Sequence, residues 1–228
     1  SVMLVATYTR RFQMNDEKET VRKLSDSAKK EFMEKGFMKA SLRNICKNAG
    51  VTTGALYFFF KDKDALFVSL IQEPLKRVYE IMISHYEQEK QEEDNLPLIQ
   101  DNSDDYRASY EIIHEMYTNR DEFILLLTKS QGSSVEHAID ELIKVSDKHY
   151  RIIADIFSKK AATAPVDKYF IHWLSHMQID VFIYMITHIE TEAEAMDYMK
   201  HVVGYMLSGW YGMFDNTNKN ISQKEGEK

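Results

Sequence analysis

One stretch, Ser41 to Lys63, constrains this chain more than any other: S-L-R-N-I-C-K-N-A-G-V-T-T-G-A-L-Y-F-F-F-K-D-K. Ser41 is a favourable N-cap, and Leu42, Ile45, Cys46 and Ala49 then recur at helical spacing until Gly50, a natural C-terminal stop. That predicts a two-turn helix. Thr52 or Thr53 caps a second short helix, in which Ala55, Leu56, Phe59 and Phe60 supply apolar contacts, and Val51 in the turn pins the pair together. Two short helices around a tight Gly turn form the helix-turn-helix pattern, whose second helix lies in the DNA major groove.

The residue types suit nucleic acid on their own terms. Hydroxyls and helix N-termini satisfy phosphate oxygens, and Gly54 lets the backbone come close to a duplex. The second helix carries no Arg, Asn or Gln, so the bidentate readers of G and A are missing from it. Thr hydroxyls, the Ala55 methyl and the Phe58 ring suit thymine methyl groups instead. An A·T-leaning operator, read partly by shape, is therefore expected, with Arg43 or an Arg10-Arg11 arm adding contacts.

From Ile45 to Phe67 the chain reads I-C-K-N-A-G-V-T-T-G-A-L-Y-F-F-F-K-D-K-D-A-L-F. Here it resembles the TetR/AcrR family of one-component bacterial transcription regulators, with Gly, Tyr and Lys in register over a run far more specific than a lone helix-turn-helix. The resemblance implies phosphate contacts by Ser41, Tyr57 and Lys61, and a groove-facing set of Thr52, Thr53, Gly54, Ala55 and Phe58. Two positions depart from the family pattern: Cys46 stands where Ala is usual and fills the core, and Phe58 stands where His, Tyr or Asn is common. A second segment, L-L-L-T-K-S-Q-G-S-S from Leu125 to Ser134, resembles a subset of the family in which a similar stretch joins two body helices.

The chain's net charge of −7 looks wrong for a DNA binder until it is divided. Residues 1–63 hold 13 Lys and Arg against 7 Asp and Glu, a net of +6; the rest holds 16 against 29, a net of −13. The basic part carries the motif, which fits a DNA-binding head on an acidic body that avoids the duplex. One cysteine excludes an internal disulfide, and three prolines with few glycines suit a mostly helical, reduced, cytoplasmic protein. Met3 to Ala6 is too short for a secretory h-region, and the most apolar region, Tyr169 to Ile189, is interrupted by His172, His176, Gln178, Asp180 and His188, so no membrane partner is expected.

An all-α fold is predicted, with residues 1–62 as a DNA-binding helix-turn-helix head with an N-terminal arm and residues 63–228 as an effector-binding and dimerisation body. Ser1 to Asn15 lacks helical periodicity and reads as the arm. Asp16 opens a helix with a Val21, Leu24, Ala28, Phe32, Met33 stripe that closes at Gly36. A long helix follows Lys63, with Pro74 inside it, where a missing donor and a ring pressed on the Leu70 carbonyl predict a kink. Glu87 to Asp105 reads as an acidic loop. Helices are then expected from about Asp104 to Thr118, Arg120 to Ser130, Ser133 to Lys160, Val166 to His188 and Thr191 to Phe214, the last opened by the capping-box pattern T-E-A-E.

No phosphate loop, nucleophile motif or cysteine cluster stands out, so neither a cofactor nor catalytic residues are expected. His172, His176 and Asp180 share a helix face at four-residue steps, but a single helix offering ligands reads better as a polar seam than as a metal site. Tyr106, Tyr110, His114 and Tyr117 share one helix face, and Trp173 and Met177 lie on another. Such aromatic and Met side chains suit a pocket for a small apolar or aromatic effector. Gly204, Ser208 and Gly212 recur every four residues on the last helix. Together with Trp173 and Met185 on the one before, they are expected to form a two-fold, four-helix dimer interface. The expected function is a homodimeric, ligand-responsive repressor of a double-stranded DNA operator. The alternatives are a helical protein-binding adaptor that kept its helix-turn-helix, or an enzyme using the body cavity.

Overall fold

The computed structural model describes residues 2–91 and 103–215, and side chains for 16–91 and 105–215. Among the described residues every regular element is a helix: α1 (Val2–Lys39), α2 (Leu42–Ala49), α3 (Thr53–Phe59), α4 (Lys63–Gln91), α5 (Ser103–Thr118), α6 (Arg120–Lys129), α7 (Ala138–Lys160), α8 (Lys168–His188) and α9 (Glu192–Phe214). Two compact units result. One comprises Ser1–Leu75 with Asn119–Glu136, the other Lys76–Thr118 with His137–Lys228.

In the first unit, α1 packs against α2 and α6, and α2 against α3. Leu24, Ala28 and Phe32 of α1 are fully buried, as the stripe predicted. Phe32 meets Phe67 edge-on at 4.8 Å and Phe37 at 6.2 Å, giving this unit an aromatic centre. The helix runs on through residues 2–15, where an arm was expected. Apolar periodicity reports burial, not helicity, and a segment without Gly or Pro extends an existing helix without a second nucleation step. Gly36 ends the regular part, at φ 71°, ψ 165°.

The helix α6, expected in the body, packs on α1 instead. Phe123, Leu125 and Leu126 are buried there, and Lys29 pairs with Glu122. Its exit is a tight turn in which Gly132, at φ 83°, faces the Met38 side chain so closely that a Cβ would collide with the sulfur. Gly132 N donates to Glu136 Oε2 at 2.8 Å, and this turn, rather than a helix start at Ser133, occupies the segment before α7.

In the second unit α7 packs on α8, α5 on α9 and on α8, and α8 on α9. Thr191 caps α9 by accepting from Glu194 N, and its hydroxyl donates to Glu194 Oε2 at 2.7 Å. Asp167 caps α8 by accepting from the N–H groups of Tyr169 and Phe170. The helix α4 continues to Gln91, past the expected loop start at Glu87; residues 92–102 of that loop lie outside the described residues. Pro74 is buried inside an unbroken α4, one residue before the two units divide. No described helix is long and apolar enough to cross a membrane.

Candidate nucleic-acid interface

The helix-turn-helix is assembled by capping groups that leave one face open. Ser41 Oγ accepts from Asn44 N, and Thr52 Oγ1 accepts from Ala55 N at 3.1 Å, so Thr52 rather than Thr53 caps α3. Gly50, at φ 67°, takes the left-handed turn between α2 and α3, and Val51 N closes it on Cys46 O at 3.0 Å. Ile45, Cys46 and Leu56 are buried beneath the turn.

Three side chains absent from the sequence expectations hold this motif on α1. Glu31 is only 4% exposed, and its Oε1 accepts from Lys35 Nζ at 2.9 Å, from Ser41 N at 3.1 Å and from Asn44 Nδ2 at 3.4 Å. Burial alone would raise its carboxyl, but these hydrogen bonds outweigh it and hold the group below the ordinary value. Its charge also stands at the positive end of α2. Ser27 donates to Ile45 O at 2.9 Å. Lys63 Nζ donates to the Phe37 and Met38 carbonyls at 2.7 and 3.2 Å and lies 4.6 Å from the Phe37 ring centre, which closes the end of α1. Glu31 sits among charged neighbours on a polar-looking segment, so no spacing rule singles it out.

What remains outward is the predicted surface. Arg43, Thr52, Thr53, Gly54, Tyr57, Phe58 and Lys61 are exposed, and Ser41 and Ala55 partly so. Phe58 is 75% exposed and Tyr57 54%, although both are aromatic and stand beside buried Leu56. A large ring left in water on a helix whose other side is saturated marks a surface built for contact.

The second unit holds a separate feature, a cleft of about 540 Å³ whose walls include Tyr86, Tyr150, Phe157, Trp173, Met177 and Trp210. Tyr86 donates to Gln178 Oε1 at 2.8 Å, and Ser146 donates to the same oxygen at 2.6 Å. Burial pushes the Tyr86 phenol up to about 12 and holds that of Tyr150 well above its ordinary value, so both stay neutral.

Of the expected effector residues, Trp173 and Met177 line this cleft and three others do not. Tyr110 and His114 border a separate shallow depression with Tyr106. Tyr117 donates to the Ile189 carbonyl at 3.0 Å and is structural. The α5 face expected to share a pocket with Trp173 and Met177 turns largely to α9, which periodicity within α5 cannot foretell. Of the expected dimer set, Met185 is corrected outright: it is fully buried in its own chain, because a helix apolar on nearly all sides hides which stripe faces inward. Gly204 faces Tyr106 of α5, whose hydroxyl would stand 3.7 Å from an added Cβ, whereas Gly212 borders open space. Trp173 and Ser208 are exposed. His172 does not gather a metal set with Asp180; its Nδ1 lies 3.2 Å from Asp147, which also takes Arg151.

Residues 24–70 match the model of the tetR family of bacterial regulatory proteins. An HTH-type transcriptional regulator of Staphylococcus aureus is 34% identical over 98 residues, 43% of this chain and 44% of that protein, so the chain matches less than half the length of this curated relative. Among solved structures, the TetR family regulator PfmR of Thermus thermophilus superposes with a TM-score of 0.55 at 18% identity, over 79% of this chain and 96% of that one. A transcriptional regulator from Aquifex aeolicus gives 0.53 at 16% identity, over 82% and 99%. These two share the fold. The tetR-family match thus spans residues 24–70, across both short helices, and the two superpositions show that the same all-helical fold extends over 79–82% of the chain.

Proposed function

We propose that the chain is a homodimeric repressor that binds a double-stranded DNA operator and is released by a small apolar or aromatic molecule. The observation that carries this reading is the open face of α3, where Thr52, Thr53, Gly54, Ala55 and Phe58 stand outward over a saturated motif. In a complex, Ser41, Tyr57, Lys61 and Arg43 contact phosphates, and the Thr hydroxyls and Phe58 ring read thymine-rich steps. Two such heads, paired through Trp173, Ser208, Gly212 and the exposed rings of Tyr169 and Tyr205, address successive major grooves roughly 34 Å apart. The cleft supplies the effector site. Its ligand favours release only by its differential affinity for the free conformation. The helix α4 belongs to both compact units, so Pro74→Ala is expected to alter induction more than folding. The match of residues 24–70 to bacterial regulatory proteins supports this reading over an enzyme using the body cavity.

A gel shift on DNA upstream of the chain's own gene tests the reading and separates it from an adaptor. Binding should weaken steeply with salt, and Lys61→Ala should reduce the log–log salt slope by about 1. A flat salt response, or a selected consensus rich in G·C beneath α3, would overturn it.

A further inference from the structure

We propose that the wall of the body cleft is a binding site for a divalent transition-metal ion, with zinc the best fit, formed by His85 and Glu89 of α4, Asp105 of α5 and His149 of α7. Among the described residues, His85, Glu89 and Asp105 are a trio of ligand-bearing side chains whose donor atoms all lie within 4.8 Å of one another. His149 adds a fourth side chain from outside that trio, reaching it through Glu89, with its Nε2 2.8 Å from Glu89 Oε2. Both imidazoles therefore turn the same ring nitrogen to one carboxylate oxygen, since His85 Nε2 lies 3.7 Å from it and 3.5 Å from Asp105 Oδ1.

The spacing suits an ion. Ligand atoms about 2.1 Å from zinc at tetrahedral corners stand about 3.4 Å apart, close to the two His85 separations, while the His149–Glu89 contact has to open and His149 has to draw in on His85 and Asp105. Charge points the same way. With neutral imidazoles the four side chains carry two negative charges, and a divalent ion cancels both. Mixed imidazole and carboxylate ligands favour zinc and its neighbours over magnesium or calcium, which take oxygen alone. The site is also held in advance. The His149 ring stacks on Tyr86 at 3.7 Å and 5°, and Tyr86 is fixed by Gln178. Both histidine side chains are nearly enclosed, at 13% and 10% exposure.

The full chain, stripped with a chelator and titrated with zinc by calorimetry, tests this without DNA. One ion per chain is expected, magnesium should not compete, and the Co²⁺ form should show tetrahedral visible absorption. His149→Ala and the milder Asp105→Asn should each weaken zinc binding more than about tenfold, whereas His172→Ala, on the other histidine pair, should leave it unchanged. Circular dichroism of Asp105→Asn identifies a folding defect separately. Zinc binding that survives Asp105→Asn in folded protein, that is lost with His172→Ala, or that never exceeds magnesium's would overturn the proposal.

Discussion

The two compact units solve opposite problems with the same element. In the first, polar side chains close helix ends: Glu31 gathers Ser41 N, Asn44 and Lys35, Lys63 seals α1, and the working face is what the caps leave outside. In the second, polar groups face a hollow: Gln178 takes two hydroxyls, Glu89 takes His149, and the working surface is concave and drawn from five helices. A convex reader needs rigidity with nothing left to satisfy, whereas a cleft needs groups that a guest can engage. Stability in the first should therefore depend on few residues, and chemistry in the second on many.

The sharpest way to break that contrast is Phe32→Ala. The ring is fully buried and meets two others, so its loss should cost about 3–5 kcal/mol and abolish operator binding, read by urea unfolding and gel shift. Loss of effector binding with operator binding intact would invert the assignment of roles. Next comes Glu31→Ala, which strands the part-buried Ser41 N–H and should cost about 1–3 kcal/mol. Because the native carboxyl sits below its ordinary 4.5, its contribution is fully present above that value and is lost as pH falls through the depressed native one. Glu31→Gln should accordingly flatten the acid limb of a stability-versus-pH curve, and an unchanged limb would count against the cap. Smallest is Gln178→Leu, which removes the acceptor shared by Tyr86 and Ser146. It should cost about 1–2 kcal/mol in thermal melts and alter cleft binding while operator affinity holds.

How much was legible follows the same division. The caps at Ser41 and Thr52, the Gly50 turn and the exposed hydroxyl face lie within one contiguous run, where each feature depends on neighbours a few positions away. The cleft was half legible. Trp173 and Met177 reach it, but His85, Tyr86, His149 and Tyr150 went unnoticed, because their partners are up to 92 positions distant. Met185 shows the same limit on one helix: its type announced burial, but not against which neighbour.

By itself, then, the amino-acid order determined most of the helices, the caps at Ser41 and Thr52 and the exposed face of the short-helix pair, since helix formation and capping are settled within one or two turns of chain. Tertiary packing alone decided that α6 joins the unit of the two short helices, that Gly204 faces α5, and that two histidines and two carboxylates from three helices meet in one wall. Those outcomes depend on which faces meet across long loops, and an apolar stripe fits any partner of matching shape.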